Sequence, residues 1–195
     1  MLKREEIEKI FKDSQALLEG HFLLTSGKHS DRYFQCAQVL QHPQLTVKLC
    51  QELSAPFKDK AIDVVVGPAI GGIIVTYEMA RQLGVRGIFA EREKGVMQLR
   101  RGFAITPGEK VLVVEDVITT GGSVLEVMDL VRQAGGEIVG VAVLVDRSGG
   151  KVDLGVPIQS LLTLEAQVYP PEDCPLCQNG LPIVKPGSRT GNKDV

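Results

Sequence analysis

The stretch VLVVEDVITTGGS, residues 111–123, joins four apolar residues to two acids and then to hydroxyls and glycines. A continuous Val/Leu run suits a strand buried on both faces, and the glycine-bearing turn after it suits entry into a helix. In a parallel α/β sheet, ligands bind beyond the carboxyl ends of the strands. Glu115 and Asp116 stand at such an end. After them, Thr119, Thr120, Gly121, Gly122 and Ser123 offer hydroxyls, close backbone approach and the positive end of a helix, a cradle for a phosphate monoester. No lysine follows the glycines as a Walker A loop requires, which argues against ATPase chemistry. Two carboxylates so near a phosphate repel it unless something lies between them. A ribose does, with its hydroxyls donating to the acids and its 5-phosphate reaching the turn.

Outward from this stretch, apolar runs alternate with helical periods from Ala61 onward: AIDVVVG, GGIIVTYEMARQL, VRGIFA, KVLVVED, GGSVLEVMDLVRQAGG and EIVGVAVLVD. The pattern predicts an α/β fold, a doubly wound and mainly parallel central sheet with helices on both faces. Gly135 and Gly136 stop a helix over residues 123–134. Residues 3–18 read as an amphipathic helix carrying Ile7, Ile10, Phe11, Leu17 and Leu18. Residues 20–40 read as a strand-loop-strand hood, and Pro43 as the first residue of a further helix. The 195 residues suit a single domain, with residues 168–195 a C-terminal extension ending in a mobile tail, GSRTGNKDV.

Hydrophobic residues make up 44% and charged residues 24%, with a net charge of −2, so nothing draws the chain as a whole to nucleic acid or to an anionic membrane. No apolar run approaches the roughly 20 residues of a membrane span. The charged N-terminus lacks the pattern of a secretory signal, and the reading is cytoplasmic. Cys36, Cys50, Cys174 and Cys177 are too few for a disulfide scaffold and read as reduced thiols. The pair in CPLC, residues 174–177, has the spacing of half a zinc knuckle, but the chain has no second such pair. His21, His29 and His42 lack metal-ligand spacing and read as surface or turn residues, with His29 alone placed near a substrate.

The whole of residues 111–123 resembles the signature of phosphoribosyltransferases that use 5-phosphoribosyl 1-diphosphate (PRPP). Further stretches look like orotate phosphoribosyltransferase, a family with the type I phosphoribosyltransferase fold. In FLLTSGKHSDRYF, Ser26, Gly27, Ser30, Tyr33 and Phe34 match the family's orotate-side segment. Thr25 stands where the family usually has a lysine, so a cationic role passes to Lys28 or is absent. Tyr33 and Phe34 either stack on the ligand or belong to the hood core. GPAIGG, residues 67–72, is similar to the strand-loop-helix facing the diphosphate. It lacks the lysine of many members and leaves the work to the backbone at Gly71 and Gly72. Any tight strand-to-helix turn shares this look.

DRSGG, from residue 146, puts Arg147 at another strand end, and the resemblance assigns it to the orotate carboxylate beside Thr119. Bidentate pairing by a guanidinium gives that role its chemistry, and a plain surface ion pair is the competing reading. EREKGVMQLRR, residues 91–101, matches a mobile basic loop that in the family closes over the neighbouring subunit's site. Here Arg92 keeps the family's arginine, Glu93 replaces the usual second cation, and no histidine follows. Arg92 and then Lys94 are the candidate catalytic cations, while Arg100 and Arg101 fit a solvated hairpin as well.

The resemblance implies transfer of the 5-phosphoribosyl group from PRPP to orotate, giving orotidine 5-monophosphate and diphosphate, in pyrimidine biosynthesis. It implies Glu115 and Asp116 at the ribose, and Val117, Ile118 and the turn through Ser123 on PRPP. It further implies Mg²⁺ bound mainly through PRPP with no direct protein ligand, and a homodimer sharing the loop around Arg92. Purine or uracil salvage is the alternative enzyme. A non-catalytic, nucleotide-sensing RNA-binding regulator is the alternative of another class, and it should display a basic face that this sequence lacks.

Overall fold

The computed structural model describes residues 2–24, 26–165 and 167–186. Thr25, expected to replace a family lysine, and the tail from residue 187 onward lie outside the described residues. The chain runs α1 (Arg4–Asp13), β1 (Leu17–Leu23), β2 (His29–Phe34), α2 (Ala37–Leu40), α3 (Pro43–Ser54), β3 (Val64–Pro68), α4 (Gly71–Leu83) and β4 (Arg86–Glu93). It continues through β5 (Val96–Leu99), β6 (Lys110–Ile118), α5 (Gly122–Gln133), β7 (Glu137–Asp146), β8 (Ile158–Thr163), β9 (Val168–Tyr169) and α6 (Pro175–Gln178).

Six strands form the main sheet in the order β5-β4-β3-β6-β7-β8, all parallel except β5, which pairs antiparallel with β4. The pleat sorts the valine runs onto two faces, since successive side chains point opposite ways. Val64, Val66, Val111, Val113, Val141 and Val143 pack with Val124, Val127, Met128 and Val131 of α5. Their neighbours Val65, Leu112, Val114, Ala142 and Leu144 pack on the other face with Leu49 and Leu53 of α3 and Val75 and Met79 of α4. Burial on both faces is why these strands read as unbroken apolar runs. Each valine, leucine or methionine among them contributes about 1.5–3 kcal/mol by leaving water. The helix stop at Gly135 is as expected: its φ is 79°, and its N–H bonds to Arg132 O.

After β3 the chain crosses to β4 on one side, then returns to place β6 on the other side of β3. The crevice at the carboxyl ends of β3 and β6 is therefore the topological switch point, where open α/β sheets bind ligands.

The N-terminal expectation needs correction. The helix ends at Asp13, Gln15 adopts a positive φ of 58°, and Leu17 and Leu18 belong to β1 instead. Ile7 and Phe11 already form the buried face of α1, whereas Leu17 and Leu18 pair with Phe34 and Tyr33 of β2. The hood is this β1-β2 hairpin, completed by β9 from the C-terminal region, giving the order β1-β2-β9. A second correction concerns the histidines. His21 and His29 are buried, 4% and 8% exposed, because they face one another across the hairpin and lie against Cys174 and Cys177. Among the described residues, no helix is long and apolar enough to cross a membrane.

Candidate active site

β6 does not stop at Val114 but carries both acids, because β7 continues to pair beside it: Glu115 with Val143, Val117 with Val145 and Ile118 with Asp146. On its other edge, pairing with β3 ends at Val113. The start of α4 fills the gap left there. A Cβ placed on Gly71 would lie 2.7 Å from Asp116 Cγ, and one on Gly72 would lie 3.1 Å from Glu115 Oε1. Gly71 and Gly72 are thus glycines because the two acids occupy the space of their missing side chains. The helix begins with its positive end against the carboxyl groups.

Glu115 is 7% exposed and Asp116 is half-buried. Burial, then the adjacent Asp116 charge, pushes Glu115 up to about 9; burial also raises Asp116. Little in the ligand-free protein compensates. Glu115 Oε1 accepts from the Asp116 N–H at 3.1 Å, and Asp116 Oδ1 accepts from the Val117 N–H at 2.8 Å. The Cys36 thiol, itself pushed up by burial, contacts the Asp116 carbonyl at 3.8 Å. An acid pair held out of water in this way is poised for hydroxyl groups and developing positive charge.

Beyond the acids a cavity of about 220 Å³ is lined by Glu115, Thr119–Ser123, Arg92 and Glu126. Gly121 caps α5 with a φ of 83°, and a Cβ there would lie 3.1 Å from Leu154 Cδ2, so this turn requires glycine on two grounds. The first amides of α5 have no partner within the helix and open into the cavity mouth. Val117 is half-buried and Ile118 is in the core under α5; the Ile118 carbonyl accepts the Arg147 N–H at 2.9 Å. Neither side chain offers a polar group, so their part is to hold the backbone.

Arg147 follows β7. The buried Asp146 carboxylate shapes its loop, accepting from the Ser148 N–H at 2.7 Å, the Ser148 hydroxyl at 2.6 Å and the Gly150 N–H at 3.0 Å. The Arg147 guanidinium lies over the Phe34 ring at 5.6 Å, and its buried Nε has no hydrogen-bond partner among the described residues. Burial lowers its pKa. A buried guanidinium N–H without an acceptor is costly, and an anionic ligand supplies the acceptor. Phe34 is 6% exposed and is both hood core and the platform for Arg147, while half-buried Tyr33 packs against Phe22 at 5.8 Å. Lys28 is exposed on the turn between β1 and β2.

The expected loop over residues 90–102 is largely an antiparallel hairpin. β4 runs on to Glu93, β5 starts at Val96, and Lys94 and Gly95 make the turn with φ of 50° and 85°. Its arginines have acidic partners. Arg92 makes a two-point pair with Glu126, at 2.6 and 2.9 Å; Arg101 does the same with Glu91, at 3.0 and 3.1 Å; Arg100 pairs with Glu93 at 3.0 Å. The structure therefore brings Arg92 to the rim of the cavity beyond the acids of its own chain and leaves Lys94 at the exposed hairpin tip. Glu126 and the shaping role of Asp146 escape sequence reading. The sole signal for Glu126 was its place one turn into the helix after the glycines.

A family model described as a phosphoribosyl transferase domain matches residues 36–168. The orotate phosphoribosyltransferase of Pelotomaculum thermopropionicum is 65% identical over 188 residues, covering 96% of this chain and 99% of that protein. The one from Heliobacterium modesticaldum is 58% identical over 192 residues, covering 97% and 100%. Among solved structures, orotate phosphoribosyltransferase from Aeropyrum pernix superposes with a TM-score of 0.68 at 29% identity, over 82% of this chain and 94% of that one. Adenine phosphoribosyltransferase from Rhodothermus marinus, at 24% identity and a TM-score of 0.63, shares the fold. The fold is that of a type I phosphoribosyltransferase. Within that class, the chain belongs to the orotate phosphoribosyltransferase family.

Proposed function

We propose that this protein transfers the 5-phosphoribosyl group of PRPP to N1 of orotate, releasing diphosphate and forming orotidine 5-monophosphate. The observation that carries the choice of base is the unpartnered, buried Nε of Arg147 above Phe34. Orotate differs from uracil by a carboxylate, and a planar guanidinium binds a carboxylate at two points. Thr119 follows Ile118, whose carbonyl accepts the Arg147 N–H, and in this reading it joins Tyr33 and Lys28 of the hood on the orotate side.

In this reading the turn from Thr119 to Ser123 receives the 5-phosphate, and Gly71 and Gly72 let the backbone approach the diphosphate. Glu115 and Asp116 accept from the ribose hydroxyls. As the bond to diphosphate lengthens, the ribose gains positive charge, and the acid pair stabilises it. In the ligand-free protein burial and then the Asp116 charge raise Glu115, and a cation developing beside the pair would lower it again. Arg92 leaves Glu126 to meet the departing diphosphate, with Lys94 as the second cation. No protein nucleophile is needed.

Mg²⁺ would be bound mainly through PRPP, since it favours oxygen ligands and substrate phosphates over an all-protein cage. The Asp116 and Glu115 carboxyl groups would face such an ion across the ribose without ligating it directly, and its chemistry there would be to neutralise the leaving diphosphate. A homodimer accords with the exposed Ile70, Ile74 and Tyr77 at and beside α4, and a cytoplasmic location with four free cysteines. The test is direct: purified protein with Mg²⁺, PRPP and orotate should form orotidine 5-monophosphate, and failure to form it overturns the proposal.

A further inference from the structure

CPLC lacks a second cysteine pair, but the fold supplies a second pair of another kind. His21 of β1, His29 of β2, Cys174 at the start of α6 and Cys177 within it bring four potential ligand atoms to within 4.8 Å of one another. His21 Nε2 lies 2.9 Å from His29 Nδ1 and 3.7 Å from each sulfur, and Cys177 Sγ lies 3.3 Å from His29 Nδ1. A tetrahedral zinc with Zn–S of about 2.3 Å and Zn–N of about 2.0–2.1 Å has ligand edges of about 3.6 Å for S to N and about 3.3 Å for N to N. The observed separations bracket the first value and fall slightly short of the second.

We propose that His21, His29, Cys174 and Cys177 form a structural zinc site that clips the C-terminal segment onto the hood.

Three features support the assignment. The other ring nitrogen of His21, Nδ1, lies 2.8 Å from the Leu181 carbonyl; donating to it leaves the Nε2 lone pair facing the cluster, the outer hydrogen bond that ligand histidines usually make. Binding releases one proton from each thiol, and two thiolates with two neutral imidazoles around Zn²⁺ give a site with no net charge, suited to the burial of His21, His29 and Cys174. Tetrahedral S₂N₂ donors select zinc over Mg²⁺. The site closes a seam already begun by the backbone: the Val184 N–H bonds to His21 O at 2.8 Å and the Leu23 N–H to Val184 O at 2.9 Å. All four residues lie outside the matched span 36–168, so the clip belongs to what this chain adds around the shared domain. Because the two histidines bracket the turn carrying Ser26, Gly27 and Lys28, zinc also fixes the orotate-side edge of the hood.

The site is tested without reference to catalysis. Protein purified under reducing conditions, without a polyhistidine tag, should carry one zinc per chain by elemental analysis and lose thermal stability on chelation. Replacement by Co²⁺ should give thiolate-to-cobalt charge-transfer bands and the intense visible bands of tetrahedral cobalt. Cys177→Ser and His29→Gln should each weaken zinc affinity by at least the ~10-fold that even outer-shell losses cost. A reduced wild-type protein that takes up neither zinc nor cobalt overturns the proposal, as does a Cys174–Cys177 disulfide in its place, or undiminished affinity in both variants. Should the variants fail to fold, the wild-type cobalt spectrum decides alone.

Discussion

The carboxyl group of Asp116 occupies the space where a side chain on Gly71 would stand, 2.7 Å from that Cβ position to Asp116 Cγ. This contact joins the end of β6 to the start of α4 and fixes where the acid pair points. Gly71→Ala should displace Asp116 and lower kcat by at least tenfold while the protein stays folded. Asp116→Asn should lower turnover without the steric change. Steady-state kinetics beside circular dichroism measure both, and an Asp116→Asn enzyme of unchanged kcat contradicts the ribose role.

Arg147 carries base selection. Arg147→Ala should raise the KM for orotate about 10- to 100-fold, the equivalent of roughly 1.5–3 kcal/mol for hydrogen bonds to a charged group, with little change in the KM for PRPP. Arg147→Lys should not restore it, since an ammonium cannot bind at two points. Unchanged orotate saturation in Arg147→Ala moves the carboxylate anchor elsewhere.

Asp146 acts through that arginine by holding Ser148 and Gly150. Asp146→Ala should raise the orotate KM in the same direction and also lower Tm, by about 2–4 °C per kcal/mol lost in a chain of this size. A lower Tm with an unmoved orotate KM leaves Asp146 a purely structural residue.

Arg92 and Glu126 are both partly exposed, so their pair contributes at most about 1 kcal/mol to stability. Glu126→Gln should leave Tm nearly unchanged and lower the KM for PRPP by freeing Arg92, whereas Arg92→Ala should lower kcat. Full turnover in Arg92→Ala reduces the pair to a surface tie.

The raised Glu115 sets a pH dependence. In the unfolded chain it ionises near its ordinary 4.5, while the ligand-free folded protein holds the proton up to about 9. The unfolded state therefore binds fewer protons between those values, and stability falls as pH rises, by at most about 1.4 kcal/mol per pH unit from this group. Denaturant unfolding of the ligand-free protein across pH 5–9 should show the fall, and Glu115→Gln should flatten it. Equal slopes in the two proteins contradict the assignment.

Where burial and periodicity carry the information, the sequence was readable. The valine runs of β3, β6 and β7 and the helices α4 and α5 follow from it, as does the order of acids, hydroxyls and glycines at the switch point. Pairings between distant segments were not readable. Leu17 and Leu18 continue the helical pattern of α1, yet their pairing with Phe34 and Tyr33 draws them into β1. β9 has only two residues, and β8 is a largely half-buried edge strand without the continuous burial of the central ones, so a tertiary partner defines each. Glu126 meets Arg92 across 34 positions, and Cys177 meets His29 across 148, distances at which local spacing carries no signal.

In the proposed reaction the carboxylate of the base and the activated ribose meet between Arg147 and the Glu115–Asp116 pair. The most direct measurement follows diphosphate release by the purified protein with Mg²⁺ and PRPP, offered separately orotate, uracil, hypoxanthine and adenine. Release is expected with orotate and none above background with the other three. Release that depends on any of those bases instead of orotate, or no base-dependent release at all, contradicts the proposed reaction.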